Sequence, residues 1–271
     1  MFYALAEHKI ETRGWRFEHF LQDIQTLNER ATRGELQISA ISIHAYAYVL
    51  DKYALLSSGA SMGDGYGPML IVRKDHWLPD LHDLEATRKW LREQTIAVPG
   101  RLTSAFLALQ IFLGVEPKIA VVPFDEIFDF VREGYATVGL IIHEGQLTYE
   151  RDGFRKVVDL GEWWKNDTGL PLPLGGNVIR KDFPPEVRSE ISDILRESIK
   201  YGLEHRQAGV AHALPLARGM DTPLADQFIG MYVNDYTLDY GDSGRRAIRE
   251  FLGQAHAAGL IPAPVELEFV E

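Results

Sequence analysis

The sequence predicts an α/β protein built from two lobes with a cleft between them. Short apolar runs bounded by turn residues alternate with amphipathic helical patterns, an order typical of mostly parallel sheets flanked by helices. After residue 177 the patterns are mostly helical and cannot supply a sheet of their own. We therefore expect a discontinuous first lobe of residues 1–92 and 177–271, and a second lobe of residues 93–176.

The strands are predicted where short apolar runs lie between turn residues. The near-continuous apolar run Val138–Ile142 is typical of a strand that is covered on both faces. The predicted strands are, in order, residues 38–43, 53–58, 68–73, 95–99, 118–122, 136–143 and 156–160.

The helices are predicted from apolar residues spaced three and four apart, with capping residues or prolines at their starts and glycines at their ends. Residues 2–6 also indicate a helix, but nothing ahead of them can supply a side-chain cap. Leu170–Asn177, which is rich in proline and glycine, predicts a rigid connection between the lobes. Trp163 and Trp164 are interpreted equally as core packing or as an apolar wall of the cleft. The other helices are predicted at residues 103–112, 124–131, 185–199, 222–232 and 243–258.

The charge balance and the residue usage exclude several classes of function. The chain has 28 Lys and Arg residues against 39 Asp and Glu residues, for a formal net charge of -11. A chain this acidic has no electrostatic footprint for nucleic acid or for an anionic membrane surface. It contains no cysteine, which excludes disulfides, thiolate zinc sites and cysteine nucleophiles. No secretion signal and no apolar run of about 20 residues is visible, so we expect a cytoplasmic protein without a membrane partner.

Candidate binding residues follow strand ends, because ligands of open α/β sheets bind outside the carboxyl ends of the strands. Thr103 and Ser104 follow a strand and a glycine turn and open a helix, where hydroxyls and free N–H groups can hold an anion or a polar oxygen. The same residues would serve an ordinary N-cap. Ser42 could contact a ligand or cap the short helix after it. His44 lies on that short helix, and we favour a structural or surface role for it.

His143 ends the most apolar strand, where a general base would project into the cleft. A neutral imidazole titrates near pH 7 and can take and return a proton. On position alone, a structural role is as well supported as a catalytic one. The helix-borne zinc motif is absent because Leu147 stands where the second histidine would be, and no metal is expected. The segment Gly63–Pro68 lacks the lysine of a phosphate loop and predicts an inter-strand turn or lid.

Five segments together carry a resemblance that extends from Phe2 to about Leu260. In them the chain resembles 1,4-dihydroxy-6-naphthoate synthase of the futalosine route to menaquinone. The run that ends in His143 and Glu144 is the most specific. The segments match in order and at similar spacing, and they are Ser42–Ala47, Gly65–Pro68, Val98–Ala105, Gly139–Glu144 and Leu170–Gly175.

The resemblance implies a two-lobed fold like that of type II periplasmic binding proteins, used as an enzyme. The substrate would be cyclic dehypoxanthine futalosine and the product 1,4-dihydroxy-6-naphthoate, released by a lyase that needs no metal or cofactor. The proton acceptor of the family matches His143. The substrate-contacting stretches match two segments that position alone also selects: Ala40, Ile41 and Ser42, and Thr103, Ser104 and Ala105.

The N-terminus departs from the family pattern. The family begins with a strand and a loop reading roughly Ser-Pro-Cys-Pro-Asn-Asp-Thr before the helix that matches Phe2–Leu5. Met1 stands where that loop would end. We therefore expect that one strand of the first lobe and one wall of the cleft are missing from this sequence.

Two other functions remain open from the sequence. One is chorismate dehydratase of the same pathway, which shares the fold, and the other is a protein that only binds a small ligand. For all three functions we expect the lobes to close on the ligand about the strands near Arg73 and Gly176. The sequence leaves the oligomeric state open.

Overall fold

Two five-stranded sheets flanked by helices form the protein in the computed structural model, which describes residues 1–216 and 220–270. The strands are β1 (Ile38–Ser42), β2 (Tyr53–Leu56), β3 (Ser61–Gly63), β4 (Met69–Arg73), β5 (Thr95–Val98), β6 (Lys118–Val121), β7 (Val138–Ile141), β8 (Phe154–Asp159), β9 (Leu172–Arg180) and β10 (Phe269–Val270).

Thirteen α-helices are present within the described residues, and a 3₁₀ helix spans Leu214–Leu216. The α-helices are α1 (Tyr3–Ala6), α2 (Ile24–Thr32), α3 (Ile43–Tyr46), α4 (Leu84–Glu93), α5 (Ser104–Leu113), α6 (Ile127–Arg132), α7 (Gly145–Thr148), α8 (Leu160–Thr168), α9 (Pro185–Glu204), α10 (Arg206–Ala213), α11 (Thr222–Tyr232), α12 (Asp235–Leu238) and α13 (Gly241–Ala257). As expected, α1 begins without a side-chain cap. None of the helices in this part of the chain is both long and apolar enough to cross a bilayer.

The first sheet is organised around β9. Its order is β1-β9-β2-β10, with β3 also paired to β9. β9 runs antiparallel to β1, β2 and β3, whereas β10 runs parallel to β2. The register places Ala40 opposite Asn177 and Ser42 opposite Gly175. Partners in an antiparallel pair share a face of the sheet, so these four residues lie on one side of it.

The second sheet has the order β6-β5-β7-β4-β8. β5 is parallel to β6 and β7, and β4 is antiparallel to β7 and β8. The prediction of mostly parallel sheets therefore holds for four of the five strands in each sheet, which run in one direction, whereas β9 and β4 run against them. The physical reason is that one strand of each sheet, β9 or β4, carries the chain across from the other half in the opposite direction. Hydrophobic periodicity does not encode strand direction.

Leu170–Asn177 is not only a connection between lobes, because most of it belongs to β9. Pro171 precedes the strand, and Pro173 pairs with Met62 next to an irregularity in the β3 register. A missing N–H donor is tolerated at such a place, since the ladder is already interrupted there. The prolines therefore lie at one end of the strand, and residues 175–180 pair without them.

The predicted boundary of the first lobe after residue 92 does not hold for β4, which is paired inside the second sheet. α4 follows it and packs against α5. Arg73 and Gly176 are both paired within sheets, so neither is placed to act as a hinge. We propose instead that the lobes meet at residues 64–68 and 169–171, where the chain passes between the two sheets.

The crossing segment packs tightly against the start of α8. A Cβ on Gly67 would lie 3.0 Å from the backbone of Gly161, and a Cβ on Gly161 would lie 2.0 Å from the carbonyl oxygen of Tyr66. Only glycine fits where two backbones approach this closely. Gly63–Pro68 is thus the predicted inter-strand turn, and it connects β3 to β4.

Trp164 is fully buried in the core that joins the two halves. Its indole N–H donates to the carbonyl of Pro171 at 3.1 Å, and its ring meets Phe251 edge-on at 5.4 Å between centroids. Trp163 packs edge-on against Phe112, with 5.1 Å between the ring centroids. Of the two interpretations of the Trp pair, core packing is the one that the structure supports, because neither ring lines the cavity described below.

Candidate active site

A cavity of about 320 Å³ lies between the two sheets. Its walls come from β1 and β9 of the first sheet, from the start of α5, from the segment after β7 and from the end of α11. The structure brings all six predicted binding residues to this cavity, and they are Ala40, Ile41, Ser42, Thr103, Ser104 and Ala105.

Ser42 is held in place by the buried side chain of Asn28. The backbone N–H of Ser42 donates to Asn28 Oδ1 at 2.8 Å, and Asn28 Nδ2 donates to Ser42 Oγ at 3.0 Å and to the carbonyl of Leu102 at 3.3 Å. Ser42 makes no side-chain cap to α3. Because Oγ accepts from Asn28, the hydroxyl proton of Ser42 stays available for an acceptor in the cavity.

The side-chain hydroxyls of Thr103 and Ser104 make different hydrogen bonds at the start of α5. Thr103 Oγ accepts from the N–H of Phe106 at 3.2 Å and donates to the carbonyl of Gly100 at 2.9 Å, so its hydroxyl is a helix cap with its proton in use. Ser104 Oγ accepts from the N–H of His44 at 3.1 Å and keeps its own proton to donate. The first N–H groups of a helix have no partner within the helix, and they favour an anion or a polar oxygen.

His44 has the structural role that the sequence favours. Its Nδ1 lies 3.2 Å from the carbonyl oxygen of Thr103 and its Nε2 lies 3.4 Å from the hydroxyl of Tyr48. A carbonyl can only accept, so Nδ1 carries the proton. Burial lowers the pKa of His44 to about 4, which keeps the ring neutral. The ring thereby ties α3 to the start of α5.

His143 lies two residues beyond the end of β7, and its side chain is 12% exposed. Its ring packs against Phe124 and Phe128, with centroids 5.8 and 5.5 Å away. The preceding Ile142 lines the cavity, whereas His143 is not among the residues that form its wall. The predicted catalytic residue is therefore beside the cavity, turned into a pocket of phenylalanines.

The hydrogen bond to His143 defines its tautomer. The backbone N–H of Gly145 donates to Nδ1 at 3.0 Å. An amide N–H is always a donor, so Nδ1 carries the lone pair and Nε2 carries the proton of the neutral ring. In this arrangement the ring presents a proton donor at Nε2, and its lone pair is already in use.

Gln146 and Tyr232 line the cavity and were not found from the sequence. The Tyr232 hydroxyl donates to Gln146 Oε1 at 2.5 Å, and Gln146 Nε2 donates to the carbonyl of Gly67 at 2.7 Å. Burial raises the pKa of the Tyr232 phenol, so the hydroxyl keeps its proton and remains a donor. No sequence signal pointed to this pair, because the two residues are far apart along the chain.

Asn177 is a further polar residue that sequence reasoning missed. It lines the cavity from β9, on the same face as Ala40 and Ser42. Its Nδ2 is buried and has no hydrogen-bond partner within residues 1–216 and 220–270. The strand pattern was a possible signal, since residues 175 and 177 share a face in any strand. Asn177 was missed because this segment was interpreted as a connection between the lobes.

The side chains that line the cavity are neutral. Among the described residues that form its wall, no side chain belongs to Asp, Glu, Lys or Arg. The described part of the chain also holds no cluster of three His, Asp or Glu residues placed to bind a metal ion. Hydroxyls, amides and the start of α5 supply the polarity, and aliphatic side chains supply the rest. This lining suits a largely apolar ring that carries a few oxygen atoms.

Nearly the whole chain matches one protein family. Residues 1–257 match the family described as menaquinone biosynthesis. The chain is 37% identical to the 1,4-dihydroxy-6-naphthoate synthase of Streptomyces coelicolor over 246 residues, which are 89% of this chain and 83% of that protein. It is 36% identical to the enzyme of the same name from Thermus thermophilus over 266 residues, which are 97% of this chain and 92% of that protein.

The solved structures agree with this fold. The crystal structure of protein AF1704 from Archaeoglobus fulgidus superposes with a TM-score of 0.87 at 41% identity, covering 96% of this chain and 93% of that one. The periplasmic aliphatic sulphonate binding protein SsuA from Escherichia coli superposes with a TM-score of 0.63 at 12% identity, covering 97% of this chain and 85% of that one. The second likeness confirms the periplasmic-binding-protein-like fold. Sequence and structure together show that this chain belongs to the menaquinone biosynthesis family.

Proposed function

We propose that this chain is a carbon–carbon lyase that converts cyclic dehypoxanthine futalosine to 1,4-dihydroxy-6-naphthoate. The observation that carries the proposal is the convergence of two distant segments on one cavity. Residues 40–42 and residues 103–105 are the stretches in which the chain resembles the substrate contacts of the naphthoate synthases, and both line that cavity. The relatives named as naphthoate synthases support the same reaction.

The neutral side chains of the cavity support a reaction in which charge develops on the substrate. When a base takes an acidic proton, the negative charge left behind needs donors that are already oriented. The hydroxyls of Ser42 and Ser104 and the first N–H groups of α5 are such donors. Aliphatic walls around them exclude water, which strengthens each of these hydrogen bonds.

We assign His143 as the general base. For Nε2 to take a proton, Nδ1 must carry one, and the hydrogen bond from Gly145 must then be given up. A ring rotation out of the Phe124 and Phe128 pocket would break this hydrogen bond and bring the imidazole to the cavity wall beside Ile142. The ring proton must then pass from Nε2 to Nδ1 before Nε2 acts as the base. The proposal therefore includes a change of ring position before catalysis. We also propose that the reaction takes place in the cytoplasm.

The test is to supply the purified protein with cyclic dehypoxanthine futalosine and to follow the naphthoate chromophore. His143→Gln should lower kcat by about 100-fold or more, the usual range for loss of a general base. The matched control is His256→Gln on the exposed side of α13, which should keep the rate of the unmodified protein. Full activity of His143→Gln would contradict the base assignment.

Two further measurements separate the alternatives. Formation of 3-enolpyruvyl-benzoate from chorismate, with no naphthoate from the futalosine derivative, would show a chorismate dehydratase instead. Tight binding of the futalosine derivative without turnover, unchanged by His143→Gln, would show a binding protein. Either result would overturn the lyase proposal.

A further inference from the structure

We infer that Asn177 is a positioning residue whose side-chain amide donates to an oxygen atom of the bound substrate. The inference rests on the proposed function for the identity of that substrate. It names a contact on β9, the strand that pairs with residues 40–42. No role is assigned to Asn177 by that resemblance.

The sheet register places Asn177 on the ligand-facing side. Asn177 pairs with Ala40, and Gly175 pairs with Ser42, in the antiparallel ladder of β1 and β9. Paired residues share a face, so the side chain of Asn177 emerges on the same face as two of the predicted binding residues. All four residues line the cavity. Farther along the same face, Ile38 and Ile179 pack into an apolar cluster, and Asn177 is the first polar side chain beyond it.

The amide of Asn177 is buried without the partner that burial normally requires. Asn177 is 1% exposed, and its Nδ2 makes no hydrogen bond to any residue in the described part of the chain. Buried polar groups in native proteins are almost always hydrogen-bonded, and one that is not points to a ligand or to function. The nitrogen is also shielded from solvent, so bulk water does not replace the missing acceptor.

The absence of a side chain at Gly59 leaves space for the amide of Asn177. Gly59 has a φ of +95°, and a Cβ there would lie 2.0 Å from Asn177 Nδ2. Any larger residue at position 59 would therefore occupy the place of the amide. The terminal torsion of an asparagine is soft, so a rotation about χ2 turns the NH₂ group from Gly59 toward the cavity. A ligand oxygen that accepts from it removes the cost of the unmade hydrogen bond.

The polar groups of the cavity indicate which kind of substrate oxygen Asn177 binds. The start of α5 suits the most negative group of a ligand, because a helix N-terminus favours an anion. Asn177 lies on the opposite sheet and offers a neutral donor. We therefore assign to it an uncharged oxygen of the substrate, a hydroxyl or a carbonyl, held while the carboxylate faces Ser104.

The experiment compares Asn177→Ala and Asn177→Asp with the unmodified protein. With cyclic dehypoxanthine futalosine as substrate, Asn177→Ala should raise KM about tenfold and leave kcat within about twofold, because an amide that holds substrate and transition state equally changes only KM. In Asn177→Asp the new side chain has the shape of asparagine but places an acceptor where the donor was. The loss of kcat/KM should therefore be larger than in Asn177→Ala. The product, 1,4-dihydroxy-6-naphthoate, should bind Asn177→Ala about tenfold more weakly in calorimetry.

Asn28→Ala is the matched control for a structural role. Asn28 is also a fully buried asparagine near the cavity, but its carboxamide is hydrogen-bonded to Ser42 and Leu102. Its loss should lower the unfolding midpoint of the ligand-free protein. Asn177→Ala should leave that midpoint unchanged, because no internal hydrogen bond is lost.

Several results would overturn the inference. Unchanged KM and product affinity in Asn177→Ala would do so, and so would a loss of stability as large as that of Asn28→Ala. If the unmodified protein binds the naphthoate but turns over no substrate, the proposed function fails while the ratio of product affinities still decides the role of Asn177. If it binds neither compound, both proposals fail.

Discussion

The hydroxyl of Tyr232 donates to Oε1 of Gln146 at 2.5 Å, and this hydrogen bond joins the two halves of the protein across the cavity. Tyr232 ends α11, which packs against β3 of the first sheet, and Gln146 lies on α7 beyond the second sheet. The other end of the Gln146 amide donates to the carbonyl of Gly67 in the crossing segment. One carboxamide thus connects both halves and the segment between them.

Removing the Tyr232 hydroxyl should destabilise the protein by about 1–2 kcal/mol, because Gln146 Oε1 is left buried without its partner. A double-mutant cycle of Tyr232→Phe and Gln146→Met, followed by urea unfolding, should give a coupling of about 1 kcal/mol. Tyr135→Phe is the control, since Tyr135 is 66% exposed and its loss should cost less than about 0.5 kcal/mol. Strict additivity of the two changes would contradict the contact.

Gly161→Ala should destabilise the protein, although alanine is normally the better helix residue. Position 161 is in the first turn of α8, where alanine would be favoured over glycine by up to about 1 kcal/mol. The new methyl group would lie 2.0 Å from the carbonyl oxygen of Tyr66, and moving a backbone costs about 1–3 kcal/mol. We expect a net loss of stability in denaturant unfolding.

Gly253→Ala is the control for this substitution. Gly253 lies within α13, and a Cβ there meets no heavy atom within 4 Å. Alanine at 253 should therefore stabilise the protein by about 0.5–1 kcal/mol. Stabilisation by both substitutions would show that the crossing segment can move away from α8 without cost.

Asp159 should make part of the stability depend on pH. Burial raises its pKa to about 6, an effect that hydrogen bonds from the N–H groups of Gly161 and Glu162 partly offset. The unfolded carboxyl titrates near pH 3.9, so the folded state binds more protons between about pH 4 and 6. Its contribution to stability is complete below about pH 4 and is lost as the pH rises to about 6, a change of roughly 2–3 kcal/mol.

Asp159→Asn tests this dependence because an asparagine still caps α8 but does not titrate. Unfolding free energies of both proteins should be measured from pH 4 to 7. The difference, variant minus unmodified protein, should rise by about 2–3 kcal/mol up to pH 6 and then stay level. His44 titrates in both proteins and cancels in this difference. Parallel pH profiles would be inconsistent with a buried, titrating Asp159.

The binding segments could be predicted because their positions follow from local rules. Ala40–Ser42 end a strand, and Thr103–Ala105 open a helix after a glycine turn, so a short stretch of sequence contains the whole signal. His143 was also predicted at the end of its strand. The direction of its ring depends on Phe124 and Phe128, which pack against it from another part of the chain.

The other cavity residues could not be predicted, because their positions depend on contacts between distant parts of the chain. Tyr232 and Gln146 meet only when α11 is folded over the second sheet. Asn177 was concealed because the prolines beside it indicate a connection, whereas the partner strands β1, β2 and β3 make the segment a strand. The seven predicted strands match seven observed strands to within about three residues, but β3, β9 and β10 were not predicted. The reversed direction of β4 and β9 was not predicted either, since periodicity is the same for parallel and antiparallel strands.

The place of β9 in the chain has a consequence for how the protein folds. β1 and β2 are joined through β9, which leaves the ribosome only after all five strands of the second sheet, β4 to β8, have been made. The second sheet is continuous in the chain and can assemble during synthesis, while β1 and β2 wait with unpaired edges. Such long-range pairing is slow, and the waiting strands are open to association with other chains. The half that is synthesised first is therefore the half that is completed last.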